Sequence, residues 1–100
     1  MRNRVEGNFD PVLEEIMGKR WYVYILKCGD GTLYTGITDD VPARLQAHRE
    51  GKGAKYTRGR GPLELVYQEE VENHSAAAKR EWQIKQLKKK EKLALCQIWT

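Results

Sequence analysis

The sequence predicts an α+β fold: a small three-stranded antiparallel sheet flanked by helices, in a single domain. Three observations predict it. The stretch Trp21 to Gly36, WYVYILKCGDGTLYTG, sets an apolar run before a Gly29-Asp30-Gly31 turn and a second run, Thr32 to Ile37, after it, which is the pattern of a β-hairpin. A further run, Leu63 to Val71 (LELVYQEEV), follows Pro62 and supplies a third strand to pair with the hairpin. Segments with helical spacing and recognisable caps lie between and after the strands. One hundred residues with 40% hydrophobic content support one modest core and no second one.

In chain order, residues 1–20 form a leader ahead of the domain at 21–100. Asp10 and Pro11 have the character of an N-cap and first helical position, with Val12, Leu13, Ile16 and Met17 on one side and Gly18 as a stop. The leader's charges cancel, so the net charge of +4 belongs to residues 21–100 and points toward phosphate-bearing partners, although a surplus this small also suits an ordinary soluble protein. No window reaches the length of a membrane span and the N-terminus lacks a secretory apolar segment, so a cytoplasmic location with no membrane partner is expected. Cys28 and Cys96 have neither CxxC spacing nor a second ligand pair and are expected to be free and buried.

The hairpin brings Tyr24 and Tyr34 within reach of each other on adjacent strands, and Gly36 allows a close approach to the backbone just after the second tyrosine. Asp39 or Asp40 then caps a helix over roughly 40–50, with Pro42 in its first turn and Gly51 at its end. Helical spacing places Val41, Arg44, Leu45 and His48 on one broad face, with Arg44 and His48 a turn apart. Arg44 either snorkels at the core edge or meets an anion held between this helix and the hairpin. The segment GKGAKYTRGRGP carries Lys52, Lys55, Arg58 and Arg60 with no acidic residue, and reads as a mobile loop suited either to solvent or to phosphates, with Tyr56 available to stack on a base.

Asn73 or Ser75 caps a long helix from Ala76 to about Lys89 whose apolar side includes Ala77, Ile84 and Leu87. Glu81 lies between these positions. A carboxylate there needs a cation, a metal ion or strong donors, and the spacing is met equally by an i, i+4 pair with Lys85 and by a metal ligand. Lys88-Lys89-Lys90 breaks the apolar pattern before a final short helix carrying Leu93, Leu95, Cys96, Ile98 and Trp99.

Taken together, residues 20–96 resemble a GIY-YIG nuclease domain of the short stand-alone bacterial kind. The first motif falls on Tyr22-Val23-Tyr24, where only the last tyrosine keeps the family letter, and the second on Tyr34-Thr35-Gly36. The family's helical arginine and the histidine one turn later fall on Arg44 and His48, and its metal-binding glutamate on Glu81, within AAAKREWQIKQL. No asparagine follows Asn73, although larger family enzymes carry one downstream of the glutamate.

The resemblance implies a metal-dependent endonuclease that hydrolyses phosphodiester bonds, with Mg²⁺ or Mn²⁺ as cofactor and DNA ahead of RNA as substrate, in the setting of DNA repair or recombination. It implies catalytic roles for Tyr24, Tyr34, Arg44, His48 and Glu81, with Glu81 anchoring the metal and Arg44 holding a non-bridging phosphate oxygen. Tyr24 is favoured over Tyr34 as the base, on the expectation that Arg44, the metal and nearby lysines lower its pKa. Lys52, Lys55, Tyr56, Arg58 and Arg60 are expected to contact nucleic acid. A domain this small has no separate sequence-reading module, so recognition is expected to follow substrate structure rather than sequence. The chain is expected to be a monomer or weak dimer with no dedicated protein partner. The rival reading is a non-catalytic nucleic-acid-binding module with a vestigial site.

Overall fold

The computed structural model describes residues 19–99. The expected leader helix, from Asp10 to its stop at Gly18, lies outside the described residues. The elements in chain order are β1 (Trp21–Lys27), β2 (Leu33–Thr38), α1 (Val41–Arg49), β3 (Glu64–Val71), α2 (His74–Lys85) and α3 (Lys89–Trp99). The sheet has three strands in the order β2-β1-β3, with both pairings antiparallel, as the sequence predicts.

The hairpin turn is built by its polar residues. Asp30 accepts hydrogen bonds through Oδ1 from the Thr32 backbone N–H (3.0 Å) and hydroxyl (2.6 Å), and Gly31 takes φ = +86°, which favours glycine. The turn fixes a register in which Tyr24 faces Gly36 and Leu26 faces Tyr34. Side chains alternate along a strand, so Tyr24, Leu26 and Tyr34 share one face of the sheet while Val23, Ile25 and Ile37 share the other.

Each face has its own cover. On the second face α2 and α3 bury Val23, Ile25, Ala77, Ile84 and Cys96, supported by Trp21, Leu33, Val66 and Leu95. A bulge in β3 between the partners of Ile25 and Leu26 lets both Val66 and Tyr67 join this core. On the first face Tyr24, Leu26, Cys28 and Leu63 pack with Tyr34, Leu45 of α1 and Leu65. Both cysteines are free and buried, as expected.

Asp40, rather than Asp39, caps α1 by accepting from Ala43 N–H at 3.1 Å, and Asn73, rather than Ser75, caps α2 by accepting from Ala76 N–H at 2.8 Å. Gly51 follows α1 with φ = +78°. The second helix stops at Lys85 instead of continuing to Lys89. Its successor begins at once because Glu91 reaches back to accept from the Lys88 backbone N–H at 2.8 Å, half of a capping box, so the lysine run opens α3 instead of separating two helices. The 51–62 segment makes hydrogen bonds of its own and to the hairpin turn. Thr57 is buried within it, Arg60 N–H donates to the Thr57 carbonyl (3.1 Å), and Gly29 N–H donates to the Arg60 carbonyl (2.6 Å), tying the loop to the hairpin turn.

Among the described residues no helix is long and apolar enough to cross a membrane.

Candidate active site

The first face of the sheet, where α1 and the 51–62 loop meet the hairpin, collects most of the residues singled out from the sequence. Tyr24 comes from the central strand and Tyr34 from its neighbour, with ring centroids 6.4 Å apart. His48, from the last turn of α1, lies 5.8 Å from the Tyr24 ring and 5.2 Å from the Tyr34 ring. The Tyr24 hydroxyl and His48 Nε2 share a hydrogen bond of 2.7 Å, and the imidazole is 1% exposed. Arg44, one turn before His48, donates from Nη2 to the Gly53 carbonyl at 3.3 Å, which holds its guanidinium beside the Tyr24 phenol.

Two glycines make this packing possible. A Cβ on Gly36 would lie 2.5 Å from the Tyr24 hydroxyl oxygen and 3.0 Å from Cε2 of Tyr34, so the close approach inferred from the sequence is that of the Tyr24 phenol itself. A Cβ on Gly53 would overlap His48 Nδ1.

Burial pushes the Tyr24 phenol up to about 12, and the Glu81 carboxylate adds to the rise while Arg44 opposes it. The expectation of a lowered tyrosine pKa is therefore not met by the protein's own groups: desolvation of the phenolate outweighs the arginine, and Tyr24 is a neutral phenol at pH 7. His48 is shifted below its ordinary 6.5, first by burial and then by the Arg44 charge, and is a neutral imidazole at pH 7. A group that resists protonation only when folded contributes stability above its unfolded pKa and loses it as pH falls. Lowering pH from 7 through 6.5 toward the folded pKa is accordingly expected to lower the urea midpoint, and His48→Gln is expected to flatten that dependence in an unfolding titration.

Of the basic-loop residues, Tyr56 and Arg60 approach the site. Tyr56 stacks on Tyr34 with centroids 5.8 Å apart and planes 28° from parallel, and the Arg60 guanidinium lies 4.5 Å from the Tyr56 ring centroid while pairing with Asp30 at 2.6 Å. Lys52, Lys55 and Arg58 are exposed along the same loop, Lys52 lying 3.8 Å from Glu50.

Glu81 sits on α2, the helix packed against the opposite face, and its charge acts on Tyr24. Its carboxylate pairs with Lys85 at 3.2 Å, which realises the i, i+4 alternative. Among the described residues no three His, Cys, Asp or Glu side chains cluster. A lone oxygen donor of this kind does not suit zinc, which takes several nitrogen or sulfur ligands, but fits a hydrated ion such as Mg²⁺ that retains water and binds substrate phosphate.

Two residues at this site are absent from the sequence-based set. Thr57 contacts His48 Nδ1 at 2.8 Å, and Gly53 seats both Arg44 and His48. Their glycine-rich, basic surroundings mask them, and the one usable signal is an uncharged hydroxyl residue within a run of cations.

This fold and this site define a GIY-YIG domain. The model of the GIY-YIG catalytic domain matches residues 20–94, and the chain belongs to that family, a family of nucleases. Within it the chain is similar to the short UPF0213 proteins. It is 53% identical over 82 residues to one from Oceanobacillus iheyensis, covering 82% of this chain and 95% of the relative, and 57% identical over 74 residues to one from Clostridium perfringens, covering 74% and 80%. Among solved structures, the solution structure of a UPF0213 protein from Bacillus halodurans is 46% identical, covers 79% of this chain and 84% of that one, and superposes with a TM-score of 0.52. A second solution structure, of a protein from E. faecalis, is 41% identical over 74% and 79% of the two chains with a TM-score of 0.53.

Proposed function

We propose that the protein is a metal-dependent endonuclease that hydrolyses phosphodiester bonds in DNA, selecting substrates by structure rather than sequence. The observation that carries this reading is the contact of Tyr24 with His48 beside Arg44 and Tyr34, on a face bordered by the exposed cations of the 51–62 loop. Those loop cations and the Tyr56 ring supply backbone attraction and a stacking surface.

Tyr24, neutral at pH 7, acts in concert with His48. A water gives a proton to the phenol oxygen as the phenol passes its own proton to His48 Nε2, and the resulting hydroxide attacks phosphorus. A bound phosphate diester favours the imidazolium through its negative charge, offsetting the burial that lowers the His48 pKa. Arg44 presents a planar donor fork to the non-bridging oxygens, and Tyr34 lies beside both groups to orient the attacking water. Glu81 would hold Mg²⁺ or Mn²⁺, which when bound supplies positive charge to the leaving oxygen and the phosphoryl group. The leaving oxygen takes a proton from solvent, and His48 hands its proton back to the Tyr24 oxygen as that oxygen releases the proton taken from the attacking water to solvent, which restores both neutral groups.

One observation favours a second reading, a module that binds nucleic acid without cutting it: the Glu81 carboxylate is already engaged by Lys85. The test is incubation of the native protein with labelled single-stranded, duplex and branched DNA and with RNA, in Mg²⁺ or EDTA, with binding measured in parallel at low salt. Cleavage of DNA that requires the metal and prefers one architecture is the expected result. Binding with no cleavage of any substrate would establish the second reading instead.

A further inference from the structure

We propose that Thr57 is a positioning residue that fixes His48 in its Nδ1–H tautomer and thereby aims the Tyr24 proton at Nε2. The argument follows the hydrogens. A threonine hydroxyl has one proton, and the Ala54 carbonyl 3.1 Å from Thr57 Oγ1, which also receives the Thr57 backbone N–H at 3.2 Å, can only accept, so in the proposed arrangement the hydroxyl proton points to that carbonyl. The same oxygen is 2.8 Å from His48 Nδ1 and is left to accept there, so Nδ1 carries the ring hydrogen. In a neutral imidazole Nε2 is then bare, and the 2.7 Å contact with Tyr24 is a hydrogen bond donated by the phenol. In this arrangement each hydrogen bond from Ala54 to Tyr24 runs in one direction.

That direction matters for the chemistry proposed above, on which the activity arm of this inference rests. With the Tyr24 proton on the His48 side, the lone pairs of the phenol oxygen are free to accept from Arg44 or from an incoming water. The opposite tautomer would donate from Nε2 to Tyr24 and turn the phenol proton toward the site, leaving no bare nitrogen to take that proton. The pocket around His48 also limits rearrangement. Tyr24 and Tyr34 lie against its ring from the sheet, Arg44 is the charged neighbour on its own helix, and Gly53 closes on Nδ1 with no room for a side chain. Thr57 itself is 2% exposed between the exposed side chains of Tyr56 and Arg58, so the loop presents cations outward and one buried hydroxyl inward.

The test uses the full chain and nitrogen-15 shifts of the histidine rings. The sequence has two histidines, and His74→Gln assigns the signals. Native protein and Thr57→Ser are expected to show His48 protonated at Nδ1 and bare at Nε2, whereas Thr57→Val is expected to shift the ring toward the Nε2–H form. Cleavage is expected to fall by about 10²-fold in Thr57→Val, the lower end of what a positioned general base contributes, and to return to within severalfold of native in Thr57→Ser. A native His48 protonated at Nε2 would overturn the inference even if the valine variant failed to fold. So would a folded valine variant that keeps the native ring signature, or equal cleavage by the serine and valine variants. Should the native protein cut no substrate, the nuclease reading falls while the tautomer measurement still decides the role of Thr57.

Discussion

Replacing Glu81 with alanine is expected to abolish metal-dependent cleavage while leaving the fold and nucleic-acid binding intact. The expectation rests on two unequal losses. Structurally, Glu81 gives up a pair with Lys85 at 3.2 Å, in which the glutamate side chain is 24% exposed and the lysine 51%. Such i, i+4 pairs stabilise a helix by about 0.2–0.5 kcal/mol, and alanine recovers part of that through its own helix propensity. Chemically, the described residues hold no cluster of carboxylates that could take over a metal ion. Single-turnover cleavage at saturating protein, with thermal unfolding of the same samples, separates the two losses. Arg44→Ala is expected to lower the single-turnover rate by about 10²–10³-fold, the scale of removing one donor aimed at transition-state charge. Arg44→Lys should not recover it, because an ammonium cannot reproduce the planar fork. Cleavage by Glu81→Ala within tenfold of native would remove Glu81 from the mechanism.

The elements and the centre of the site were legible in the sequence because both follow from short periods. A hairpin turn with period-2 alternation is enough to put Tyr24 and Tyr34 on one face, and a helical step of four is enough to stack Arg44 below His48. The groups that set the chemistry depend on contacts the sequence does not space regularly. Thr57 reaches His48 from nine residues away, through a loop whose path is fixed by hydrogen bonds to the hairpin turn. The Tyr24 pKa could not be signed from nearby charges alone, since Arg44 pulls it down and burial in the assembled core pulls it up by more. Glu69 is one of two adjacent glutamates in a strand, and its register opposite Val23 turns it toward α2. There Arg80 donates to both of its oxygens at 3.0 Å and the Tyr67 hydroxyl donates at 2.6 Å. The break between α2 and α3, expected at the lysine run, falls just before it, because a single glutamate three residues on makes that run a helix start.

Gly36→Ala is expected to damage the site more than its one added methyl suggests. The new Cβ would stand 2.5 Å from the Tyr24 hydroxyl oxygen, 2.7 Å from its Cζ and 3.0 Å from Cε2 of Tyr34. Relief by rotating Tyr24 is blocked. The ring is 2% exposed, its hydroxyl is held by a histidine that is itself 1% exposed, and Gly53 leaves that histidine nowhere to retreat. The backbone of β2 must therefore give way, or the Tyr24–His48 hydrogen bond must break. Overpacking of this kind costs about 1–3 kcal/mol of stability. The catalytic loss is expected to be larger in proportion, because the methyl displaces both tyrosines from the helix that carries Arg44, and misplacement by about 1 Å is enough for a loss of about 10²-fold. Urea unfolding and single-turnover cleavage on the same preparation read the two effects. Tyr24→Phe in the Gly36→Ala background supplies the decisive comparison. Removing the hydroxyl relieves the closest overlap and should restore part of the stability without restoring cleavage. A double variant no more stable than Gly36→Ala would mean that the strand, and not the phenol, absorbs the added carbon.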